Sequence, residues 1–142
     1  MDASAARDIA FRRYGTQRTR CGELAVEHLE RVAAAVPPDA QTVAFLHDVL
    51  EHTATSSLDL EALGLRPVEL EAVGILTRGA AESFEAHALR IAYAKGEAGR
   101  LARAVKLADI EDHLAHDRRS TRPYQWARCH ILNHQRFSPL RD

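Results

Sequence analysis

The feature that most constrains the fold of this chain is the lack of any strand-type periodicity. Nowhere in the 142 residues does a clean alternation of apolar and polar side chains continue over several positions, and β-branched residues are few. Apolar residues instead recur at steps of three and four, with capping and stop residues at the segment ends. This pattern predicts an all-α fold with six or more helices.

The expected helices follow from local start and stop signals. Their approximate ranges are 4–14, 23–36, 39–52, 67–76, 83–95, 100–116 and 123–137, with a short Leu-rich turn over 57–64. Ser4 is the expected cap of the first helix. Gly96 and Gly99 are expected to separate the helix over 83–95 from the long helix that follows. No internal repeat or interdomain linker interrupts the series, so residues 1–142 are predicted to form one domain.

Composition excludes several classes of protein. Lys and Arg total 19 against 20 for Asp and Glu, so the totals indicate no polyanion-binding surface. No apolar run approaches the roughly 20 residues of a membrane span, and residues 1–10 lack a secretory apolar core. Cys21 and Cys129, without metal-site spacing, are expected to be reduced thiols. These features predict a cytoplasmic protein with neither a nucleic acid polymer nor a membrane as partner.

A carboxylate lies inside the most apolar segment of the chain. The helix expected over 39–52 is apolar around nearly its whole circumference, which is typical of a central buried helix, yet it contains Asp48. An unpaired buried charge is costly, so Asp48 requires a cation, a set of donors or a metal. His47 beside it offers a second type of ligand, and Glu51 follows on the same side of the helix.

Two further side chains are candidate metal ligands on helices that can pack against this segment. His28 borders the apolar stripe of its own helix, and Asp109 belongs to a polar stripe on the helix over 100–116. The members of that stripe are Lys106, Asp109, His113 and His116. Two imidazoles and two carboxylates suit a borderline divalent ion such as manganese, iron or cobalt, with water at the open positions.

Each of these side chains also has an ordinary structural interpretation. His47 and Asp48 could form a buried ion pair, and His28 could be a boundary histidine with its hydrogen bonds satisfied. The polar stripe around Asp109 could be a solvated helix face, and Glu51 a surface residue near a helix end. The metal-site hypothesis is favoured because all four candidate ligands occur together.

The order His28, His47–Asp48 and then Asp109 in K-L-A-D resembles that of the HD-domain metal-dependent phosphohydrolases. Within them it is most similar to the small hydrolases of the alarmone (p)ppGpp, over residues 5–116. The stretch Y-G-T-Q from Tyr14 resembles the family's H-x-G-Q. Residues 22–32 resemble G-x-P-Y-I-x-H-P-x-x-V, residues 45–53 resemble L-L-H-D-x-x-E-D-T, and residues 76–78 match a recurring L-T-R.

The resemblance implies an HD-domain helical fold of about six to eight helices and assigns roles to particular residues. It implies that the metal ligands are His28, His47, Asp48 and Asp109. Glu51 would activate or orient the attacking water, with His52 as the second member of the catalytic pair. The substrate-binding residues would be Arg20, Arg18, Lys106 and His113. The implied cofactor is a divalent metal, with manganese expected and iron, cobalt, zinc or magnesium as alternatives.

The sequence departs from the family pattern at four points. The catalytic Glu-Asp pair of the family is Glu51–His52 here, and the Asn that helps hold the nucleotide is His113. The Arg that stacks on guanine in alarmone hydrolases falls at Thr19. The Pro-Tyr of the preceding loop is Leu24–Ala25. The metal-binding pattern is retained, whereas the residues that recognise guanine differ.

The function that the resemblance implies is metal-dependent hydrolysis of a nucleotide, with guanosine 3',5'-bis(diphosphate) cleaved at its 3'-diphosphate as the expected reaction. One alternative keeps the chemistry and changes the substrate to another small phosphate ester. Another is a metal-binding module without turnover, serving as a sensor or structural partner. The expected partner is therefore a small-molecule substrate, and a homodimer stays open.

Overall fold

The computed structural model describes residues 1–116 and 121–137, and it describes side chains as far as residue 134. The helices are α1 Ala3–Tyr14, α2 Ala25–Ala35, α3 Gln41–Leu46, α4 Val49–His52, α5 Ser57–Ala62, α6 Pro67–Leu76, α7 Phe84–Tyr93, α8 Gly96–His116 and α9 Thr121–Phe137, with a 3-10 turn Pro38–Ala40 before α3. The described ranges contain no strand, only an isolated antiparallel bridge between Arg18 and Leu24. The predicted all-α fold is confirmed.

The helix predicted over 39–52 is interrupted at the polar pair within it. Helix α3 ends at Leu46 and α4 begins at Val49, because the backbone of Asp48, with φ −109° and ψ 1°, leaves the helical conformation. The predicted burial is correct for residues 42–47. It is wrong for Asp48, whose side chain is 29% exposed. The interruption turns this carboxylate away from the apolar surroundings that an unbroken helix would impose.

Two predicted helix starts are also displaced. The side chain of Asp2 accepts a hydrogen bond from the backbone N–H of Ala5 at 2.8 Å, so Asp2 and not Ser4 caps α1. Helix α8 begins at Gly96 and continues through Gly99. A Cβ atom at Gly99 would lie 2.2 Å from the carbonyl oxygen of Ala94, so glycine is required there for the close approach of the preceding turn. Gly99 therefore allows close packing against the preceding turn and does not end the helix.

Helix α8 lies at the centre of the packing. It contacts α2, α3, α6, α7 and α9, while α1 packs on α2 and α3. Buried side chains from these helices, among them Leu29, Leu46, Leu101 and Val105, form a shared apolar core. Because α2 and α3 both pack on α8, polar residues at the edges of their buried faces are brought to one place.

The described helices do not include one that is both long and apolar enough to cross a membrane. The two cysteines, Cys21 and Cys129, are exposed and free, as the sequence predicts. The core therefore depends on side-chain packing between helices, without a disulfide linking these two positions.

Candidate active site

The four predicted metal ligands come together in the structure. His28 lies on α2, His47 and Asp48 at the junction of α3 and α4, and Asp109 on α8. One nitrogen or oxygen atom from each side chain lies within 4.8 Å of the corresponding atom of every other member. Three members are buried and Asp48 is partly exposed. Residues separated by as many as 81 positions thus form one compact cluster.

The imidazole of His47 is oriented by the backbone. Its Nδ1 lies 2.7 Å from the carbonyl oxygen of Ala44 and must donate to it, because a carbonyl only accepts. In the neutral ring Nε2 then carries a lone pair, and it faces carboxylate oxygens of Asp48 and Asp109 at 3.2 and 3.4 Å. Nε2 is buried and has no hydrogen-bond partner in the described part of the chain. A cation between these three groups would satisfy all of them.

A carboxylate that sequence reasoning missed orients His28. Nε2 of His28 lies 2.9 Å from Oδ1 of Asp109 inside the cluster, whereas Nδ1 of His28 lies 2.7 Å from Oδ2 of Asp112. Arg31 donates to both oxygens of Asp112 and also to Glu23. A metal-ligating histidine commonly has its second nitrogen bonded to such a carboxylate. Asp112 follows Asp109 by three residues on α8, a helical spacing that could have indicated this role.

The same residues do not form a second metal site of equal quality. Glu23, His28 and Asp112 offer ligand atoms close enough to share an ion. However, the guanidinium of Arg31 already pairs with Glu23 at 2.6 Å and with Asp112 at 2.7 Å. A second cation would meet the charge of Arg31, so we interpret this group as support for His28.

Lys106 and His113 complete the surroundings of Asp109. The Nζ of Lys106 donates to Oδ2 of Asp109 at 3.1 Å, and Nε2 of His113 lies 3.4 Å from Oδ1. Burial would raise the pKa of Asp109, but Lys106 and the three nearby imidazoles reverse this effect and hold the pKa well below its ordinary value. Asp109 is therefore an anion whose carboxylate lies within 3.4 Å of His28, His47, His113 and Lys106.

The donor set and the charges fit a divalent metal ion. Burial alone would lower the pKa of His47, but Asp48 and Asp109 more than offset it and raise that pKa well above the ordinary value. The pKa of His28 is raised in the same way, against burial, by Asp109 and Asp112. Carboxylates and imidazole lone pairs that converge without a cation attract protons, and a metal would take their place.

The cluster lies on the wall of a pocket of about 390 Å³. Its lining includes His28, Asp48 and Asp109 together with most of the other predicted site residues, namely Arg18, Arg20, Glu51, His52, Lys106 and His113. The size is in the range of small-molecule sites. Every side chain that the sequence assigns to the site therefore borders one cavity, except His47, which is buried behind it.

Glu51 and His52 lie beside the metal cluster and are not part of it. Oε1 of Glu51 accepts a hydrogen bond from the backbone N–H of Arg78 at 3.1 Å, and Oε2 lies 3.2 Å from Nε2 of His52. The side chain of Glu51 is one-third exposed, and that of His52 is nearly half exposed. The backbone of Arg78, in the L-T-R stretch, thus holds Glu51 in place, a contact that the sequence analysis did not predict.

The two predicted substrate arginines lie in the loop between α1 and α2. Arg18 donates to the carbonyl oxygen of Gly22 at 2.7 Å, which folds its side chain across the loop. Arg20 is exposed at the edge of the pocket. Thr19, between them, contacts the thiol of Cys21 at 3.2 Å. Cationic groups therefore reach the pocket from this loop, while the position expected to stack on guanine carries a small side chain.

Aromatic rings line the side of the pocket formed by α7, α8 and α9. His113 stacks on Tyr124 with ring centres 4.7 Å apart and an interplanar angle of 11°. Phe84 packs edge-on against Tyr124 at 5.5 Å. His113 is also 5.1 Å from the ring of His28. The residue that replaces the family's Asn is thus part of an aromatic wall continuous with the metal cluster.

Tyr14 is a pocket residue that sequence analysis left without a role. It ends α1 and is 6% exposed, and it lines the pocket. Burial raises the pKa of its hydroxyl, and the charges of Asp48, Glu51 and Asp109 raise it further, so the group stays protonated. Two sequence signals could have indicated it: a polar aromatic residue at the end of α1, and its place as the first residue of the Y-G-T-Q stretch that resembles H-x-G-Q.

Comparison with solved structures identifies a protein with a similar fold. That protein is described as a metazoan ortholog of SpoT that hydrolyzes ppGpp and plays a role in starvation responses. The likeness has a TM-score of 0.70 at 20% sequence identity and covers 98% of this chain and 88% of the other. Comparison of the sequence with protein-family models and with curated proteins gives no match. The helical fold implied by the resemblance to HD-domain hydrolases is therefore confirmed.

Proposed function

We propose that this protein is a divalent-metal-dependent phosphohydrolase that acts on a nucleotide carrying a 3'-diphosphate. The observation that carries the proposal is the cluster of His28, His47, Asp48 and Asp109 on the wall of a pocket that also contains Glu51 and cationic side chains. Manganese is the metal we expect, because two nitrogen and two oxygen ligands suit a borderline ion. When bound, such an ion supplies Lewis-acid activation of a phosphoryl oxygen and of water.

The chain's own residues account for proton transfer. In the hydrolysis, the oxygen of water forms a bond to phosphorus, the bond from phosphorus to the 3'-oxygen breaks, and pyrophosphate leaves. Glu51 accepts one proton of the attacking water and gives it to the 3'-oxygen as the bond to phosphorus breaks, while the other proton of the water stays on the new phosphate hydroxyl. The backbone N–H of Arg78 holds one oxygen of Glu51 in place. The other oxygen lies 3.2 Å from Nε2 of His52, so the proton passes to a carboxylate that is paired with an imidazole.

Positive charge on two sides of the pocket neutralises the phosphates. Lys106 is only 14% exposed and pairs with Asp109, so its ammonium stays close to the reacting group. Arg20 and Arg18 approach from the opposite loop. Charge-assisted hydrogen bonds from these groups would stabilise the charge that develops on the phosphoryl oxygens.

The substrate base is the least constrained part of the proposal. Guanosine 3',5'-bis(diphosphate) follows from the resemblance and from the activity of the structural neighbour. Thr19 and His113 replace two residues of the guanine-binding pattern, and His113 is engaged in a stack with Tyr124. These differences favour testing other nucleotides and small phosphate esters beside the guanosine compound.

A metal-binding module without turnover is the second candidate. It is favoured by the pairing of Glu51 with His52, since an imidazole at 3.2 Å from the carboxylate occupies the position of the family's second catalytic acid. A sensor or structural partner would need the metal cluster but not a free base.

The deciding experiment measures bound metal first and turnover second. The protein is loaded with manganese, and a panel of nucleotides that includes guanosine 3',5'-bis(diphosphate) is screened for released phosphate or pyrophosphate. His52→Asp, which restores the family's second carboxylate, is screened in parallel. Turnover of one substrate supports the phosphohydrolase. Stoichiometric metal without turnover in either protein supports the binding module, and a protein that cannot be loaded contradicts both.

A further inference from the structure

The hydroxyl of Tyr14 is an unsatisfied donor in the wall of the pocket. Its oxygen is buried, and no group in residues 1–116 or 121–134 forms a hydrogen bond with it. Leaving a buried hydroxyl unpaired destabilises a protein, so each such group in a folded chain needs an explanation. Packing alone does not provide one here, because phenylalanine would fill the same volume without that cost.

The neighbours of this hydroxyl indicate what it can bind. Tyr14 lines the same pocket as Asp48, Glu51 and Asp109, and the charges of these carboxylates raise the pKa of its hydroxyl beyond the effect of burial. None of these carboxylates accepts a hydrogen bond from it in the structure. The hydroxyl therefore has no acceptor, and because its oxygen is buried, donation to a group in the pocket requires the side chain to rotate toward the cavity that Tyr14 lines.

The chemistry of the pocket selects the class of acceptor. Carboxylates dominate this side of the cavity, and they repel the oxygens of a phosphate. A neutral hydroxyl among them can donate a hydrogen bond to a phosphoryl oxygen. Unlike a lysine or arginine at the same place, it adds no positive charge that would pair with the carboxylate ligands. Fixed donors aimed at an oxygen that gains charge are an effective form of transition-state stabilisation.

We propose that Tyr14 contacts the substrate and donates a hydrogen bond to a phosphoryl oxygen of the scissile phosphate. The inference rests on the proposed function and adds to it a residue from α1. It also gives Tyr14 a different use from the many tyrosines whose buried hydroxyl stabilises the fold through a partner.

Tyr14→Phe distinguishes a hydroxyl that contacts the substrate from one that stabilises the fold through a hydrogen bond, because the two roles predict different changes in stability. Removal of an unpaired buried hydroxyl should leave the melting temperature of the metal-free protein unchanged or raise it. Removal of a structural hydrogen bond would lower it. Tyr93→Phe is the matched control, since Tyr93 is 62% exposed and does not line the pocket.

The binding experiment uses inorganic phosphate as the probe. Its dissociation constant from the manganese-loaded protein is measured through the relaxation of its phosphorus nucleus by the bound ion. We expect Tyr14→Phe to keep its metal and to weaken phosphate binding about tenfold, the usual effect of one hydrogen bond to a charged group. Turnover of any substrate found should fall by a similar or larger factor, and Tyr93→Phe should match the wild type in every measurement.

The inference and the proposed function fail in different ways. If phosphate binding depends on Tyr14 but no substrate is turned over, the result supports the inference about Tyr14 and contradicts the proposed phosphohydrolase activity. If the wild type turns over a substrate and Tyr14→Phe has the same phosphate affinity and the same rate, the result contradicts the inference about Tyr14 and supports the proposed phosphohydrolase activity. A wild type that does not bind phosphate, a Tyr14→Phe protein that loses its metal, or one that only becomes less stable overturns the inference.

Discussion

His28 and His47 each have Nδ1 committed to a partner outside the metal cluster. His47 donates to the carbonyl of Ala44, and His28 pairs with Asp112. In both rings this leaves Nε2 for the shared centre, so the orientation of each imidazole is decided before an ion binds. At the residue scale, the orientation of the candidate ligands therefore depends on groups that are not ligands themselves, the carboxylate of Asp112 and the carbonyl of Ala44.

The first prediction concerns Asp112. In Asp112→Asn the carboxylate that holds His28 and pairs with Arg31 becomes a neutral amide. Loss of this support should weaken manganese binding about 10- to 100-fold. Affinity is measured by titration of the metal-free protein. Glu111→Gln is the control, because Glu111 is the preceding residue on α8 and pairs with Arg128 away from the cluster. Equal affinities for the two variants would contradict the role given to Asp112.

The second prediction concerns Glu51. Glu51→Gln keeps the shape of the side chain and an oxygen that can still accept from the N–H of Arg78. It removes the basicity, so turnover should fall by about 100-fold or more. Metal content and melting temperature should stay close to those of the wild type, since Glu51 lies outside the ligand cluster. Full activity in Glu51→Gln would show that another group accepts the proton.

At the scale of elements, the site depends on two irregular points in an otherwise helical chain. The break between α3 and α4 turns Asp48 toward the pocket while His47 stays buried. At the start of α8, Gly99 permits the close approach of Ala94 that ends the preceding segment. Because α8 carries Lys106, Asp109 and Asp112, its position relative to α7 affects the whole site.

The third prediction compares two glycine substitutions. In Gly99→Ala the new methyl group would overlap the carbonyl of Ala94, so we expect a loss of about 1–3 kcal/mol in the free energy of unfolding. In Gly74→Ala, within α6, the added methyl meets no atom within 4 Å, and helix propensity should stabilise the protein by about 0.5–1 kcal/mol. Chemical denaturation measures both. The two changes must have opposite signs, and a shared sign would contradict this account of Gly99.

At the scale of the molecule, a bound ion would join three separate parts of the chain. Its ligands come from α2, from the junction of α3 and α4, and from α8. An ion that binds only the folded protein stabilises it by mass action, by about 2.7 kcal/mol when its free concentration is 100 times its dissociation constant. The metal is therefore expected to contribute to the fold as well as to the chemistry.

The fourth prediction concerns the pH dependence of that stabilisation. In the metal-free protein, burial lowers the pKa values of His28 and His47, but the adjoining carboxylates more than offset it and raise both. A raised folded-state pKa contributes stability that is complete below the unfolded value of about 6.5 and is lost as the pH rises through the folded value. Metal binding needs neutral imidazoles and so strengthens in the same direction.

The gap between the melting temperatures of manganese-loaded and metal-free protein should therefore widen from about pH 6 to about pH 8. Differential scanning calorimetry with and without a chelator measures it. His47→Gln, which removes one ligand, should reduce the gap at both values of pH. A gap that is constant or narrows as the pH rises would contradict the coupling between protonation and metal binding at these histidines.

The all-helical architecture and the four candidate ligands are determined by the sequence itself. Helical periodicity and capping residues are local, and His28, His47, Asp48 and Asp109 are conspicuous because polar groups at the edge of apolar helix faces must have partners. The starts of α1 and α8 also depend on local contacts, namely the Asp2 cap and the approach of Ala94 to Gly99. The exposure of Asp48 to the pocket and the support of His28 by Asp112 and Arg31 were decided only by the tertiary structure. The same is true of the unpaired hydroxyl of Tyr14. These features depend on which atoms of distant helices come within about 3 Å of one another, whereas local periodicity shows only which residues, such as Asp109 and Asp112, share a helix face.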